Sequence, residues 1–156
     1  NLILQALLPD ERPPFLDLVE SGPCTDVEIQ AQLIEIGVAA LAHFRKVMPR
    51  IMALRQAGND PRTMLSQFDV PPPVRVLMAL CQWFYRANEI GQLRCDDHEA
   101  TALTFLGSLH VRVFFDIMMG PSADGQWQGV RGTDQHHVEN LVNNLWRGLA
   151  PDGGTS

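Results

Sequence analysis

The stretch from Asp96 to Gly120, DDHEATALTFLGSLHVRVFFDIMMG, constrains the fold more than any other part of the chain. It opens on acidic residues, which suit the positive end of a helix, and stops at Gly120-Pro121. Nothing between them breaks a helix, so the spacing predicts a rod roughly 30–35 Å long. At about 100° per residue, Leu103, Val111, Phe114 and Met118 fall on one apolar arc. Leu106, Leu109, Val113 and Ile117 fall on a second, with His110 between the two. Thr101, Thr104, Ser108, Arg112 and Asp116 leave only a narrow polar stripe, which Phe105, Phe115 and Met119 interrupt. A helix on one core needs a single apolar stripe; this one needs partners on two or three sides.

Helical periodicity recurs along the rest of the chain. Leu2 to Leu8 reads as the remnant of a helix stopped by Pro9, and residues 9–24 as a proline-bearing connector anchored by Phe15, Leu16 and Leu18. Thr25 and Glu28 have capping-box spacing and open a long helix with the stripe Ile29, Leu33, Ile36, Ala40, Phe44 and Val47. Pro49 predicts a break or kink, followed by a shorter helix that stops at Gly58. Asp60-Pro61 restarts a short helix to Gln67; Val70 to Pro73 reads as a stiff extended link; Val74 to Ile90 is the next long helix. After the Asp96–Gly120 helix comes a Gly-rich loop with Trp127 tucked down. The final helix runs from Asp134 to Leu149, with Val138, Leu141, Val142, Leu145, Trp146 and Leu149 as its stripe, and residues 152–156 are a tail. No sheet, internal repeat or second domain is indicated. The class is all-α, a helical bundle with its principal domain over residues 25–151.

Composition narrows the function. A hydrophobic fraction of 46% over 156 residues supports a sizeable single core. A net charge of −6, with only 12 Lys and Arg, argues against nucleic-acid binding by these residues themselves. Cys24, Cys81 and Cys95 have no paired spacing and read as reduced thiols of a cytoplasmic protein. No uninterrupted apolar run reaches membrane-spanning length. Cys95-Asp96-Asp97-His98 and His136-His137 lack a metal-ligand spacing and read as polar helix starts; no metal and no cofactor is expected. No nucleophile elbow, phosphate loop or dinucleotide fingerprint occurs, so the chain does not read as an enzyme. Asn1 opens directly into LILQALL without an initiator Met, which reads as a piece of a longer protein.

The informative polar residues lie on apolar faces. Asn88 continues the Leu77–Phe84 line with Cys81 and Tyr85 at its flanks, and His110 sits between two apolar arcs. The plain account is that each bonds to nearby backbone or buried water. The sharper account is a mostly apolar cavity with a few polar groups that orient a ligand. On that account the lining comprises Phe44, Met48, Met52, Met64, Met78, Cys81, Phe84, Tyr85, Asn88, His110 and Phe114, suited to a hydrophobic or aromatic compound. The last two long helices favour self-association. Gly107 and Ser108 permit close approach, and Leu106, Leu109, Val113 and Ile117, with His137, Leu141, Asn144, Leu145 and Gly148, make a seam suited to a symmetric four-helix contact.

Three segments in this order, AALAHFRKVMPRIMAL, ANEIGQLRCDDHEATALTFLGSLHV and HHVENLVNNLWRGLAP, resemble the C-terminal ligand-binding and dimerisation domain of the TetR family of bacterial transcriptional regulators. The resemblance covers residues 25–151 and rests on the order of helices more than on any one motif. It implies an effector pocket among the central helices and a homodimer through the last two. It also implies an N-terminal helix-turn-helix domain that is not in this chain, so DNA binding, and with it the repressor role, belongs to the parent protein. The competing reading is a stand-alone helical interaction module without a small-molecule pocket.

Overall fold

The computed structural model describes residues 13–120 and 132–151. The helix remnant at Leu2–Leu8, the loop carrying Trp127 and the tail lie outside the described residues. Among the described residues six helices follow one another: α1 (Pro14–Glu20), α2 (Ile29–Gln56), α3 (Pro61–Leu65), α4 (Pro72–Glu89), α5 (His98–Met119) and α6 (Asp134–Leu149). The described residues are all-α, as the periodicity predicts.

The helix starts show which local signals governed. Asp60 accepts from the Arg62 amide at 2.9 Å, Asp97 from the Ala100 amide at 2.8 Å, and Thr133 from the His136 amide at 3.2 Å. Each satisfies a backbone donor that an open helix end leaves bare. The capping box at Thr25 does not form: α2 begins at Ile29, and its Glu28 cap makes no side-chain bond. Gln32 instead reaches back, accepting from the Cys24 amide (2.8 Å) and donating to the Cys24 (2.7 Å) and Val27 (2.8 Å) carbonyls. That clip holds the chain before α2 in a turn and removes the geometry a Thr25 cap requires.

Proline placement corrects two further expectations. Helix α2 runs through Pro49 without ending. Pro49 is exposed, so its ring meets solvent rather than a neighbouring helix. Pro72 and Pro73 open α4 instead of forming an extended link, since the first helical turn has no hydrogen-bonded N–H to lose. The expected connector also contains α1, whose Phe15, Leu16 and Val19 are buried while Leu18 faces out.

Helix α2 is the central rod. Helices α5 and α6 pack along it, α4 packs on α5, and α1 closes the far side against α2 and α4. The core joins Leu33, Ala40 and Leu41 of α2 to Leu80 and Phe84 of α4, Phe105 and Leu109 of α5, and Val138 and Val142 of α6. Gly37 sets the distance between α2 and α6: a Cβ there would lie 2.6 Å from Val138 Cγ1 and 3.1 Å from Phe105 Cζ. Helices α5 and α6 touch one another only lightly.

The two arcs of α5 are assigned by this packing. Leu106, Leu109 and Val113 are buried within the chain, whereas Leu103, Val111, Phe114 and Met118 are 44–58% exposed. By length and mean hydropathy alone α5 is apolar enough to cross a membrane, although it holds no uninterrupted apolar run of that length. Yet Arg112 and Asp116 lie within it in ion pairs, and its inner face is filled by the same chain.

Candidate functional site

Two features of the folded chain are open, apolar and unexplained by the core. The first is a groove of about 510 Å³ between the second half of α2 and α5, lined by Met48, Ile51, Met52, Arg55, Gln56 and Phe114. Its origin is geometric. Phe44, Met48, Ile51 and Arg55 follow one another on the face of α2 that buries Leu33 and Leu41 further back. The N-terminal part of that stripe is roofed by α5 and α6. Toward its C-terminal end Met48, Ile51 and Met52 are only partly covered.

An aromatic contact lies one helical turn back from Met48 and Phe114. Phe44 and His110 stack with ring centroids 4.0 Å apart and planes 22° apart. Phe44 also meets Phe15 of α1 edge-on at 5.9 Å, and Phe15 contacts His43 at 5.5 Å. Burial pushes His110 below the usual histidine range, against an opposing hydrogen bond with the Leu106 backbone. His110 is therefore neutral near pH 7. His110 and Phe114 lie one turn apart on α5, as Phe44 and Met48 do on α2.

An ionic cluster lies beside this contact. Arg45, next to Phe44, donates from Nε and Nη2 to both oxygens of Asp134 at 2.7 Å. Its Nη2 also meets Asp116 Oδ2 at 2.8 Å. Arg112, 5% exposed, donates from Nε to Asp134 at 2.9 Å and from Nη2 to the Gly132 carbonyl at 2.7 Å. The Arg45 hydrogen bond is the main reason the Asp134 carboxyl is held down to about 2, with Arg112 adding to it. One carboxylate at the start of α6 is thus fixed by α2 and α5 together.

The second feature is the outer face of α5. Leu103, Val111, Phe114, Phe115 and Met118 are exposed there, and a Cβ on Gly107 would meet nothing within 4 Å. Gly148 of α6 is equally open. Ser108 and His137 Nε2 approach at 3.3 Å and join the two helices along one edge. A glycine inside a helix costs about 0.5–1 kcal/mol relative to alanine, and neither of these two relieves a clash within the chain.

The residues expected to line one pocket divide into three groups. Met48, Met52 and Phe114 come together in the groove, while Phe44 and His110 stack on one another one turn further back. Phe84 and Met64 are buried, Phe84 in the core and Met64 in α3. Met78, Cys81, Tyr85 and Asn88 lie on the outer flank of α4: Met78 and Tyr85 are exposed, and Asn88 Oδ1 accepts from the Cys95 amide at 3.0 Å, a structural bond. Burial pushes the Cys81 thiol up, away from the thiolate form a nucleophile needs.

Of the residues expected in a two-chain seam, Leu109 (0% exposed) and Val113 (1%) are enclosed by their own chain, and Leu106 (7%) nearly so. Ile117, His137, Leu141 and Leu145 are partly covered, and Asn144 and Gly148 are open. Rotating the expected seam by about 135° around α5 brings Leu103, Gly107, Val111 and Phe115 outward instead.

Ile51, Arg55 and Gln56 were not foreseen, because a helix broken at Pro49 does not carry the Phe44 stripe onward. The spacing of 44, 48, 51 and 55 was the available signal. A larger cleft of about 650 Å³ at the α5 start and α6 end carries both Asp96 and Asp97 and both Arg94 and Arg147. Its mixed charge fits an apolar ligand less well than the groove does.

A family model for the AefR-like transcriptional repressor C-terminal domain matches residues 31–142. No curated protein and no solved structure matches. The matched span takes in most of α2, all of α3, α4 and α5, and α6 as far as Val142, and so includes every residue of the groove and the α5 face.

Proposed function

The chain belongs to the AefR-like C-terminal domains of the TetR family, which in general serve regulatory ligand binding and dimerisation, and from that premise we propose how it does both. The α2–α5 groove takes a small hydrophobic or aromatic effector. The outer face of α5, with the adjoining edge of α6, meets a second copy of the chain. The observation that carries this reading is one uncovered apolar arc of α5 that borders the groove at Phe114 and continues past Gly107 and Val111. Phe114 lines the groove, while Gly107 and Val111 lie open away from it.

The ionic cluster supports a coupling between the two. An effector lodged between Met48, Met52 and Phe114 changes the spacing of α2 and α5. Arg45 follows Phe44, and Asp134 answers both Arg45 and Arg112, so α6 responds at its first turn. The effector acts only through its different affinity for the two placements. In a repressor of this family acting in the cytoplasm, the change reaches a helix-turn-helix that these residues do not include.

Binding of N-phenyl-1-naphthylamine, a neutral apolar fluorophore, tests the groove. We expect saturable binding by the wild-type chain and at least a ten-fold loss in Met52→Glu, with the mass of the assembly unchanged. Equal binding by Met52→Glu would place the ligand elsewhere and sink the assignment.

A further inference from the structure

The groove is charged at one end only, and that asymmetry extends the effector reading above, on which it rests, to a ligand class. At one end Met48 faces Phe114, and one turn beyond them stands the buried Phe44–His110 stack, with no charged residue in the lining there. Met48, Ile51 and Met52 form its middle, with Phe114 opposite. Arg55 and Gln56 form its mouth, and Arg55 is the one charged residue in the lining. Among the described residues no carboxylate is ion-paired with Arg55. Asp60 lies within its field but turns its oxygens onto Arg62 at 2.9–3.3 Å. Three of the last four carbonyls of α2 are engaged within the chain, which weakens the opposition an anion meets at this helix end. The Ala53, Leu54 and Arg55 carbonyls accept from the Ala57, Asn59 and Gly58 amides, and Asn59 Nδ2 also donates to the Leu54 carbonyl.

We propose that the effector is an amphiphilic monoanion, with an apolar chain along Met48, Ile51 and Met52 and a carboxylate at Arg55 and Gln56. Methionine side chains adapt to a flexible chain better than branched ones do. A guanidinium matches a carboxylate with two parallel donors, and the Gln56 amide adds a third. Arg55 lies seven residues beyond Met48, about 10 Å along the helix, which a chain of roughly eight to ten carbons spans.

Calorimetric titration of the whole chain with decanoate and with decanol, both below their aggregation limits, tests this. Wild type should bind decanoate about ten-fold more tightly than decanol, and added salt should erode only that preference. Arg55→Gln should weaken decanoate about five- to ten-fold and leave decanol unchanged. Met52→Glu should weaken both. Arg55 and Met52 are not in the buried core, and circular dichroism verifies that each variant is folded. Equal affinity for the two ligands, or a decanoate preference that survives in Arg55→Gln, overturns the anionic head and leaves the apolar groove standing. Failure of wild type to bind either ligand, or indifference of both ligands to Met52→Glu, overturns the groove itself.

Discussion

The inner and outer faces of α5 are about equally apolar and have opposite fates. On the inner face Ala102, Phe105 and Leu109 are fully enclosed by α2, α4 and α6. On the outer face Leu103, Val111 and Met118 are half exposed or more, with Gly107 open among them. Composition therefore indicates how many partners a helix needs but not which arc meets which partner. Packing within the chain claims one arc. The other stays uncovered by the described chain, and the proposed roles are an effector at the Phe114 edge and a second copy across Val111.

Truncation should separate the faces most sharply. Leu109→Ala empties a fully buried site and should cost about 2–5 kcal/mol, read as a lower urea midpoint. Val111→Ala, on the outer face, should change the stability of the chain itself by less than about 0.5 kcal/mol. A comparable loss in both variants would erase the distinction. Gly37→Ala comes next. Its new Cβ would press on Val138 and force α2 from α6, at a cost of about 1–3 kcal/mol in chemical unfolding.

A smaller effect should appear in acid. The folded Asp134 carboxyl is held down to about 2, chiefly by Arg45, below its unfolded value of 3.8. Its contribution is therefore complete above about pH 4 and is lost as pH falls toward 2. Allowing for partial solvent screening, we expect roughly 1 kcal/mol of acid-sensitive stability that Asp134→Asn no longer shows. An unaltered acid profile in Asp134→Asn would detach the cluster from stability. The smallest effect belongs to Gly107→Ala, which should raise helix stability by several tenths of a kcal/mol in the isolated chain. A large destabilisation there would mean that the outer face already packs closely within one chain.

Much of the fold was legible because its signals are local. The cap at Asp60, the acidic start of α5, and the apolar periods of α4, α5 and α6 depend on neighbours in sequence. The failures were tertiary. Pro49 sits on an exposed face of α2, where a missing hydrogen bond is tolerated, and the rule for interior prolines hid the continuation to Ile51 and Arg55. The α5 arcs were separable by period, but Leu106, Leu109 and Val113, expected in the two-chain seam, are enclosed by their own chain, because both arcs satisfy an apolar face equally well. Asn88 looked like a pocket residue until its bond to the Cys95 amide gave it a structural partner. The Arg45–Asp134–Arg112 cluster joins positions 89 and 22 residues apart and has no signature in sequence.

The most direct test of the two-surface account is sedimentation equilibrium at micromolar concentration, on the wild-type chain and on Val111→Glu. The account predicts wild type at twice its 17.4 kDa chain mass and Val111→Glu at a single chain mass, with helix content unchanged. A wild-type chain that sediments as a monomer, or a Val111→Glu variant that remains dimeric, would contradict it.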